Sequence, residues 1–267
     1  MTTRSALITV MTAAAQKAGR ALTRDFGEVE HLQVSRKGPS DFVSAADHKA
    51  ERVAREHLAR VRPRYGFLME ESGASAGADT SNRWIVDPLD GTTNFLHGIP
   101  HFAVSIALER DGELVAGVVY NPITDELYWA EKGQGAYLNG RRLRVSARKT
   151  MAISLFATGI PFSGRRDHEL FLRQLAQVMA VSAGVRRFGA AALDLAYLAA
   201  GRYDGFWETG LQPWDMAAGI VLVREAGGFV SDLDGRPTMM ASGDILAANE
   251  SLHDSLGRLL RACRNPL

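Results

Sequence analysis

The stretch Trp84-Ile85-Val86-Asp87-Pro88-Leu89-Asp90-Gly91-Thr92-Thr93-Asn94-Phe95 constrains the fold more than any other part of this 267-residue chain. An apolar run ends in two carboxylates, and a glycine and two hydroxyls follow. Trp84 to Val86 reads as a buried strand. Pro88 cannot donate to a strand ladder, so pairing is expected to stop there. Asp87 and Asp90 then leave one rigid corner, close enough to share a cation. Gly91 permits backbone close to a ligand, and Thr92 or Thr93 is a good N-cap for a following helix. A helix N-terminus offers unpaired N–H groups and a partial positive charge, which suit phosphate. Asp-x-x-Asp-Gly in isolation is commonly a capped turn. The strand before it and the Thr-Thr after it favour a corner that holds a divalent cation beside a phosphate.

Composition sets the outer limits. A hydrophobic fraction of 46% and a charged fraction of 23% are those of an ordinary globular protein. The length suffices for one large domain or two closely packed lobes. Thirty-one basic against 30 acidic residues leave a net charge of +1, which makes no electrostatic case for nucleic acid or a membrane surface. The single cysteine, Cys263, leaves no intramolecular disulfide and no cysteine metal cluster. No apolar run is long enough to span a bilayer. Met1 to Gln16 lacks the basic n-region and solid apolar core of a signal peptide, so a cytoplasmic protein is the expectation.

Along the chain, Leu7 to Phe26 has apolar residues at helical spacing. A short strand is expected around Val34 to Gly38, with turn chemistry in Lys37-Gly38-Pro39-Ser40-Asp41. A second helix runs from about Ala45 to Arg62 and ends at Pro63, with Ser44 or Asp47 as its cap. Gly66 to Gly73 is an apolar strand delivering Glu70 and Glu71 at its C-terminal end, a place where α/β proteins often furnish a site. The alternative for both glutamates is a solvated loop. Ala74 to Asn82 reads as a surface loop. Phe102 to Glu109, Leu114 to Tyr120 and Glu126 to Ala130 read as hairpin strands, with Asp111-Gly112 and Asn139-Gly140 as turns. The first half is therefore two helices on an antiparallel meander.

The second half alternates strand and helix, which implies an α/β lobe. Strands are expected at Ala152 to Ala157, Gly184 to Phe188, Gly205 to Glu208, Phe229 to Ser231 and Ile245 to Ala248. Helices are expected at Asp167 to Val181, Ala190 to Ala200, Trp214 to Ala226 and Leu252 to Arg261. Asp215 falls at a helix start, where a carboxylate suits the dipole and often merely caps. Trp214 beside it fixes the entry angle, and Ala217, Ala218 and Gly219 allow a neighbouring backbone to come close. Seven scattered histidines lack ligand spacing, so His97 and His101 read as surface or supporting residues. Trp84, Trp129, Trp207 and Trp214 read as packing.

Three stretches together resemble the inositol monophosphatase family of metal-dependent sugar phosphatases. They are Met69-Glu70-Glu71-Ser72-Gly73, Asp87-Pro88-Leu89-Asp90-Gly91-Thr92-Thr93-Asn94 and Trp214-Asp215-Met216-Ala217-Ala218-Gly219. Lys37 through Asp47 and Gly135-Ala136-Tyr137-Leu138-Asn139-Gly140 also fit. Thr158-Gly159-Ile160-Pro161-Phe162 and Pro100-His101-Phe102-Ala103-Val104-Ser105 are most similar to bacterial members of the extragenic-suppressor type. The resemblance covers nearly the whole chain.

It implies a single sugar-phosphatase domain, a layered αβαβα sandwich. Residues 1–145 would form an α+β lobe with the metal corner, and residues 146–267 an α/β lobe completing the site. It further implies that Glu70, Asp87 and the carbonyl of Leu89 hold one Mg²⁺. Asp87, Asp90 and Asp215 would hold a second, with a weaker third near Glu70. Backbone N–H groups of Gly91 and Thr92 would hold the phosphate. The nucleophile would be water, its proton passing toward Thr92 paired with Asp47. Glu208, the backbone near Ala191 and Asp90 would meet sugar hydroxyls. By themselves, Asp47 also reads as a solvated first-turn residue and Glu208 as an exposed strand end. Gly189-Ala190-Ala191-Ala192 departs from the Gly-Thr-Ala pattern of some animal members, which bears on polyol selectivity.

The expected activity is Mg²⁺-dependent hydrolysis of inositol monophosphate or a similar sugar phosphate, with Li⁺ inhibition and a homodimeric state. Relatives also handle fructose 1,6-bisphosphate, histidinol phosphate and phosphoadenosine phosphate. Some bacterial relatives associate with the transcription machinery. Arg141-Arg142, Arg165-Arg166 and Arg186-Arg187 are basic pairs that could serve such a role.

Overall fold

Two sheets of opposite origin divide the chain. The computed structural model describes residues 4–28, 34–38, 41–161 and 167–264, and the side chains of all of these except 34–38 and 41–44. Pro39, Ser40, Phe162, Arg165 and Arg166, on which parts of the sequence reading fall, lie outside that range. In chain order the first half contains α1 (Ala6–Phe26), β1 (Val34–Gly38), β2 (Asp41–Ser44), α2 (Ala45–Val61), β3 (Tyr65–Met69), β4 (Gly73–Ser75), β5 (Asp79–Asp90) and α3 (Thr92–Leu96). β6 (Ala103–Arg110), β7 (Glu113–Asn121), β8 (Glu126–Glu131), β9 (Gly135–Leu138) and β10 (Arg141–Arg142) follow. The second half contains β11 (Leu155–Thr158), α4 (His168–Val181), β12 (Gly184–Arg186), α5 (Ala191–Ala199), β13 (Gly205–Glu208), α6 (Pro213–Glu225), β14 (Phe229–Ser231), α7 (Met239–Ser242), β15 (Ile245–Ala248) and α8 (Glu250–Ala262).

β1 and β2 form a small hairpin of their own. The larger sheet has the order β10-β9-β8-β7-β6-β5-β3-β4, and the smaller has the order β12-β11-β13-β15-β14. α1 and α2 cover one face of the larger sheet. Their buried stripes are rich in alanine, Ala14, Ala15 and Ala18 on α1 and Ala46, Ala50 and Ala54 on α2, so both lie close to the strands. α5 and α6 fill the space between the two sheets. α4 and α8 close the far side of the smaller sheet, where Leu252, Leu256 and Leu260 recur every fourth residue. Helix, sheet, helix, sheet and helix layers alternate, as the αβαβα expectation requires.

The middle layer is the tightest. Met216 to Val223 are all buried, so α6 has no solvent face. A Cβ added at Gly117 of β7 would stand 2.5 Å from the carbonyl oxygen of Ala218, and one added at Gly219 would stand 2.5 Å from the Cβ of Leu195. Glycine at both positions is what lets α6 lie directly on the sheet and on α5.

Three departures from the sequence reading matter for the site. Ala74 to Asn82 is not a loop throughout: β4 and the start of β5 occupy much of it, and Asn82 is buried. The larger sheet is not a pure meander, because β3 and β5 pair in parallel, with Met69 opposite Val86. β5 also continues through Pro88 to Asp90. Its register against β6 runs from Asp87 opposite Ser105 to Asp90 opposite Ala103, so one extra residue sits on β5. A bulge tolerates proline because that position need not donate to the ladder.

Candidate active site

The bulge decides where the acids point. In a regular strand, residues three apart face opposite sides of the sheet. The extra residue at Pro88-Leu89 restores the parity, because the partners Ser105 and Ala103 share one face of β6. Asp87 and Asp90 therefore emerge on the same side, toward the middle helix layer. The parallel pairing of β3 and β5 brings their C-terminal ends side by side. The N–H of Glu70 donates to the carbonyl of Val86 at 3.2 Å, which carries the pairing one residue further. The Glu70 and Asp87 carboxyls are in hydrogen-bonding contact. Glu70 is half-buried, not a solvated loop residue.

Two helices of the second half aim at this corner. The Oδ2 of Asp90 accepts the N–H of Ala192 at 2.8 Å, and the Ala191 and Leu193 N–H groups also act on that carboxylate. Asp90 thus caps α5 from another part of the chain, where the local cap residue Ala190 supplies no side-chain bond. Asp215 is the third residue of α6, and its Oδ2 accepts the N–H of Gln212 at 2.7 Å in a capping box. The capping role weighed for Asp215 is therefore present. Its charge nevertheless reaches Asp87. Ser105 Oγ donates to the Trp214 carbonyl at 3.2 Å, tying the start of α6 to β6.

Acids crowd the corner. Asp87 is 2% exposed. Burial, then the nearby Glu70, Asp90 and Asp215 carboxyls, hold its own carboxyl well above the usual range. Asp90 is pushed up to about 7, by burial first, with the α5 N–H groups pulling downward and Glu70 pushing up. Hard carboxylate oxygens packed this closely fit a divalent cation. Among the described residues no three His, Cys, Asp or Glu side chains form a group able to hold an ion by themselves. Mg²⁺ is commonly held by one or two carboxylates, with waters and substrate phosphate completing the octahedron. The Glu70–Asp87 pair meets that lesser requirement.

The remaining site residues lie around a cleft of about 200 Å³ whose wall includes Asp90, Gly91, Thr92, Ala191, Glu208 and Asp215. Gly91 has φ 95° and caps the five-residue α3, so neither Thr92 nor Thr93 is the N-cap expected. A Cβ there would stand 3.0 Å from the carbonyl oxygen of His101 and 3.3 Å from Ala190 Cβ. Thr92 Oγ1 lies 3.1 Å from Asp47 Oδ1 and 3.0 Å from the Leu89 carbonyl oxygen, its one proton serving either acceptor. Asp47 is fully buried, so the solvated reading fails for it. The Leu89 N–H is held by Asp87 Oδ1 at 2.8 Å. Glu208 packs so tightly over Gly159 that a Cβ there would meet its carboxylate.

Sequence reasoning gave three residues no part in the site. Asn94 Nδ2 donates to the carbonyls of His101 at 2.8 Å and Phe188 at 2.7 Å, stitching the corner to the segment that leads into α5. Its position inside the Asp87–Asn94 signature was the available signal. Asp194 is buried one turn into α5, its carboxyl raised by burial and then by Glu208 and Asp90. An acid in an Ala/Leu helix was its signal. Glu51, on α2, has its Oε2 bonded to backbone N–H groups. His97 is exposed, and His101 packs on the rings of Phe188 and Tyr197.

A sequence profile of the inositol monophosphatase family matches residues 3–265. The chain belongs to that family. An inositol-1-monophosphatase of Mesorhizobium japonicum is 61% identical over 264 residues, covering 99% of this chain and 98% of the relative. A Nus factor SuhB of Salmonella typhimurium is 44% identical over 243 residues, 91% of each chain. The crystal structure of extragenic suppressor protein suhB from Bartonella henselae superposes with a TM-score of 0.94 at 58% identity, covering 96% of this chain and 99% of that one. Within the inositol monophosphatase fold, Glu70 and Asp87 of this chain stand together because β3 and β5 run parallel, and Asp90 shares their side because β5 bulges. No described helix is long and apolar enough to cross a membrane.

Proposed function

We propose that the protein is a Mg²⁺-dependent phosphomonoesterase acting on inositol monophosphate or a closely related sugar phosphate. The observation that supports this best is the convergence of four acids: Glu70, Asp90 and Asp215 all act on the buried Asp87, and Asp90 and Asp215 line the cleft. In this reading Glu70, Asp87 and the Leu89 carbonyl hold one Mg²⁺, and Asp87, Asp90 and Asp215 a second, with a third near Glu70 at higher concentration. When bound, the ions supply Lewis acidity, offsetting charge on the phosphoryl oxygens and acidifying the attacking water.

The chain's own residues do the rest. Thr92 donates toward Asp47, which leaves its lone pairs to accept from a water and gives the proton a path to a buried carboxylate. Backbone N–H groups of Gly91 and Thr92 orient the phosphate. Glu208, which shares the cleft, accepts from vicinal hydroxyls of the leaving polyol, with Asp90 and the backbone near Ala191 alongside. Phosphoryl transfer asks for little more than positioning and electrostatics.

The test is phosphate release by purified protein with Mg²⁺, comparing kcat/KM across inositol 1-phosphate, fructose 1,6-bisphosphate, histidinol phosphate and phosphoadenosine phosphate. Inositol 1-phosphate is expected to lead and Li⁺ to inhibit. No release from any of the four would end the reading. The reading includes a cytoplasmic homodimer, which light scattering checks for oligomeric state. A second role, association with transcription proteins, draws on the relative named a Nus factor and on the exposed Arg186 and Arg187. A pull-down with catalytically impaired protein separates it from catalysis.

A further inference from the structure

Helix α2 presents three residues, one turn apart, to the two halves of the acid corner. Asp47 Oδ1 stands 3.1 Å from Thr92 Oγ1. Glu51, 5% exposed, comes next. Its Oε2 accepts the N–H of Glu71 at 2.8 Å and the N–H of Ser72 at 3.3 Å. Arg55 follows, its guanidinium 3.3 Å from the hydroxyls of Ser72 and Ser75 and over the ring of Phe67. Residues four apart on a helix are neighbours on one face, about 5–6 Å apart at Cβ. Helix α2 therefore spans a fixed distance between Thr92 and the turn that follows Glu70.

A buried carboxylate needs hydrogen-bond donors in place of the water it has lost. Glu51 has them in two backbone N–H groups. Those groups belong to the residues directly after Glu70, in the turn that joins β3 to β4. We propose that Glu51 is a positioning residue: its carboxylate fixes the 70–72 turn, and through it keeps the Glu70 carboxyl against Asp87 in the arrangement a divalent cation needs. This rests on the reading of Glu70 as a cation ligand. Groups that orient a ligand without touching the metal typically alter metal affinity by about 10–100-fold when removed.

The experiment measures Mn²⁺ binding to the full chain by calorimetry, without substrate, for wild type, Glu51→Ala, Glu51→Asp, Glu51→Gln and Glu70→Gln. Thermal unfolding of each metal-free variant is recorded alongside. Glu51→Gln keeps an acceptor oxygen at the same reach and is expected to stay within about threefold of wild type. Glu51→Asp keeps the charge but draws the carboxylate back by one methylene. It is expected to weaken Mn²⁺ binding about 10-fold, as is Glu51→Ala. The Mg²⁺ concentration for half-maximal phosphate release should rise by a similar factor, with substrate KM at saturating Mg²⁺ little changed. Should Glu51→Ala fail to fold, Glu51→Asp carries the test. Wild-type Mn²⁺ affinity in Glu51→Asp, even with lowered thermal stability, reduces Glu51 to a fold-stabilising residue and overturns the proposal. If Glu70→Gln also binds as wild type, the cation assignment falls with it. If Glu70→Gln alone loses affinity, only the positioning role falls.

Discussion

Asp90 and Ala192, 102 positions apart in sequence, are joined by a 2.8 Å hydrogen bond from the Ala192 N–H to the Asp90 Oδ2. One side chain thereby serves two structures. It caps a helix of the second half and sits within electrostatic reach of Glu70 and Asp87 in the first. The cleft opens at this joint, and the bond ties the acid corner to the second half.

Separating these duties gives a mutational test. Asp90→Asn keeps an oxygen able to accept from Ala192 but loses the charge. Phosphate release with Mg²⁺ should fall at least about 100-fold, the effect of losing a few kcal/mol of transition-state stabilisation. Metal-free thermal stability should match or exceed wild type, since a buried charge has gone. Asp90→Ala should be equally inactive and also less stable than Asp90→Asn by about 1 kcal/mol, the usual worth of an N-cap. Normal phosphate release by Asp90→Asn would remove Asp90 from the site.

The raised carboxyls predict an unusual pH dependence. An acid whose folded-state pKa is raised contributes stability that is complete below its unfolded pKa, about 4. That stability is lost as pH rises through the folded value, because the native state holds the proton more tightly. Asp90 is pushed up to about 7 and Asp87 well above its normal range. The Tm of EDTA-treated protein should therefore fall more steeply between about pH 4 and pH 7 than that of Asp90→Asn. Mg²⁺ competes with those protons, so it should raise Tm more at pH 8 than at pH 5. Equal Mg²⁺ effects at both pH values would contradict the assignment of these acids as ligands.

Gly159 offers a way to move Glu208 without mutating it. A Cβ at position 159 would overlap the Glu208 carboxylate, the flexible end of a side chain, so the carboxylate must swing aside while the backbone stays. Gly159→Ala is expected to fold normally and to raise KM for inositol 1-phosphate severalfold, about 1 kcal/mol of lost polar contact. A small non-polyol phosphate ester should be hydrolysed as before. An equal loss on both substrates would place the effect elsewhere.

The close seat of α6 on the larger sheet predicts a stability cost with a clear origin. Gly117→Ala places a methyl 2.5 Å from the Ala218 carbonyl oxygen, backbone against backbone, with no side chain free to yield. The urea midpoint should drop by the equivalent of about 1–3 kcal/mol, the range for an overpacked core. An unchanged midpoint would mean that α6 can lift from the sheet.

Local chemistry in the sequence was enough for much of this. Apolar periodicity marks α1, Asp111-Gly112 and Asn139-Gly140 mark hairpins, and the Asp87–Asn94 stretch marks the site, because each signal acts within a few residues. Pro88 misled for the same reason. A proline rule that looks only at neighbours ends β5 there, whereas the pairing with β6 absorbs Pro88 in a bulge. Glu51, Asn94 and the capping of α5 by Asp90 left no local trace of their partners, since each bonds to backbone far along the chain.

The sequence by itself determined which acids are present and that they stand at strand ends and a helix start. Only the tertiary structure decided that they meet. Parallel pairing of β3 with β5 puts Glu70 beside Asp87, and a single extra residue turns Asp90 to the same face. Glycines at 117 and 219 let α6 come close enough to bring Asp215 within reach. Strand partner and register are set by how whole faces bury against one another, and no window of sequence contains both faces.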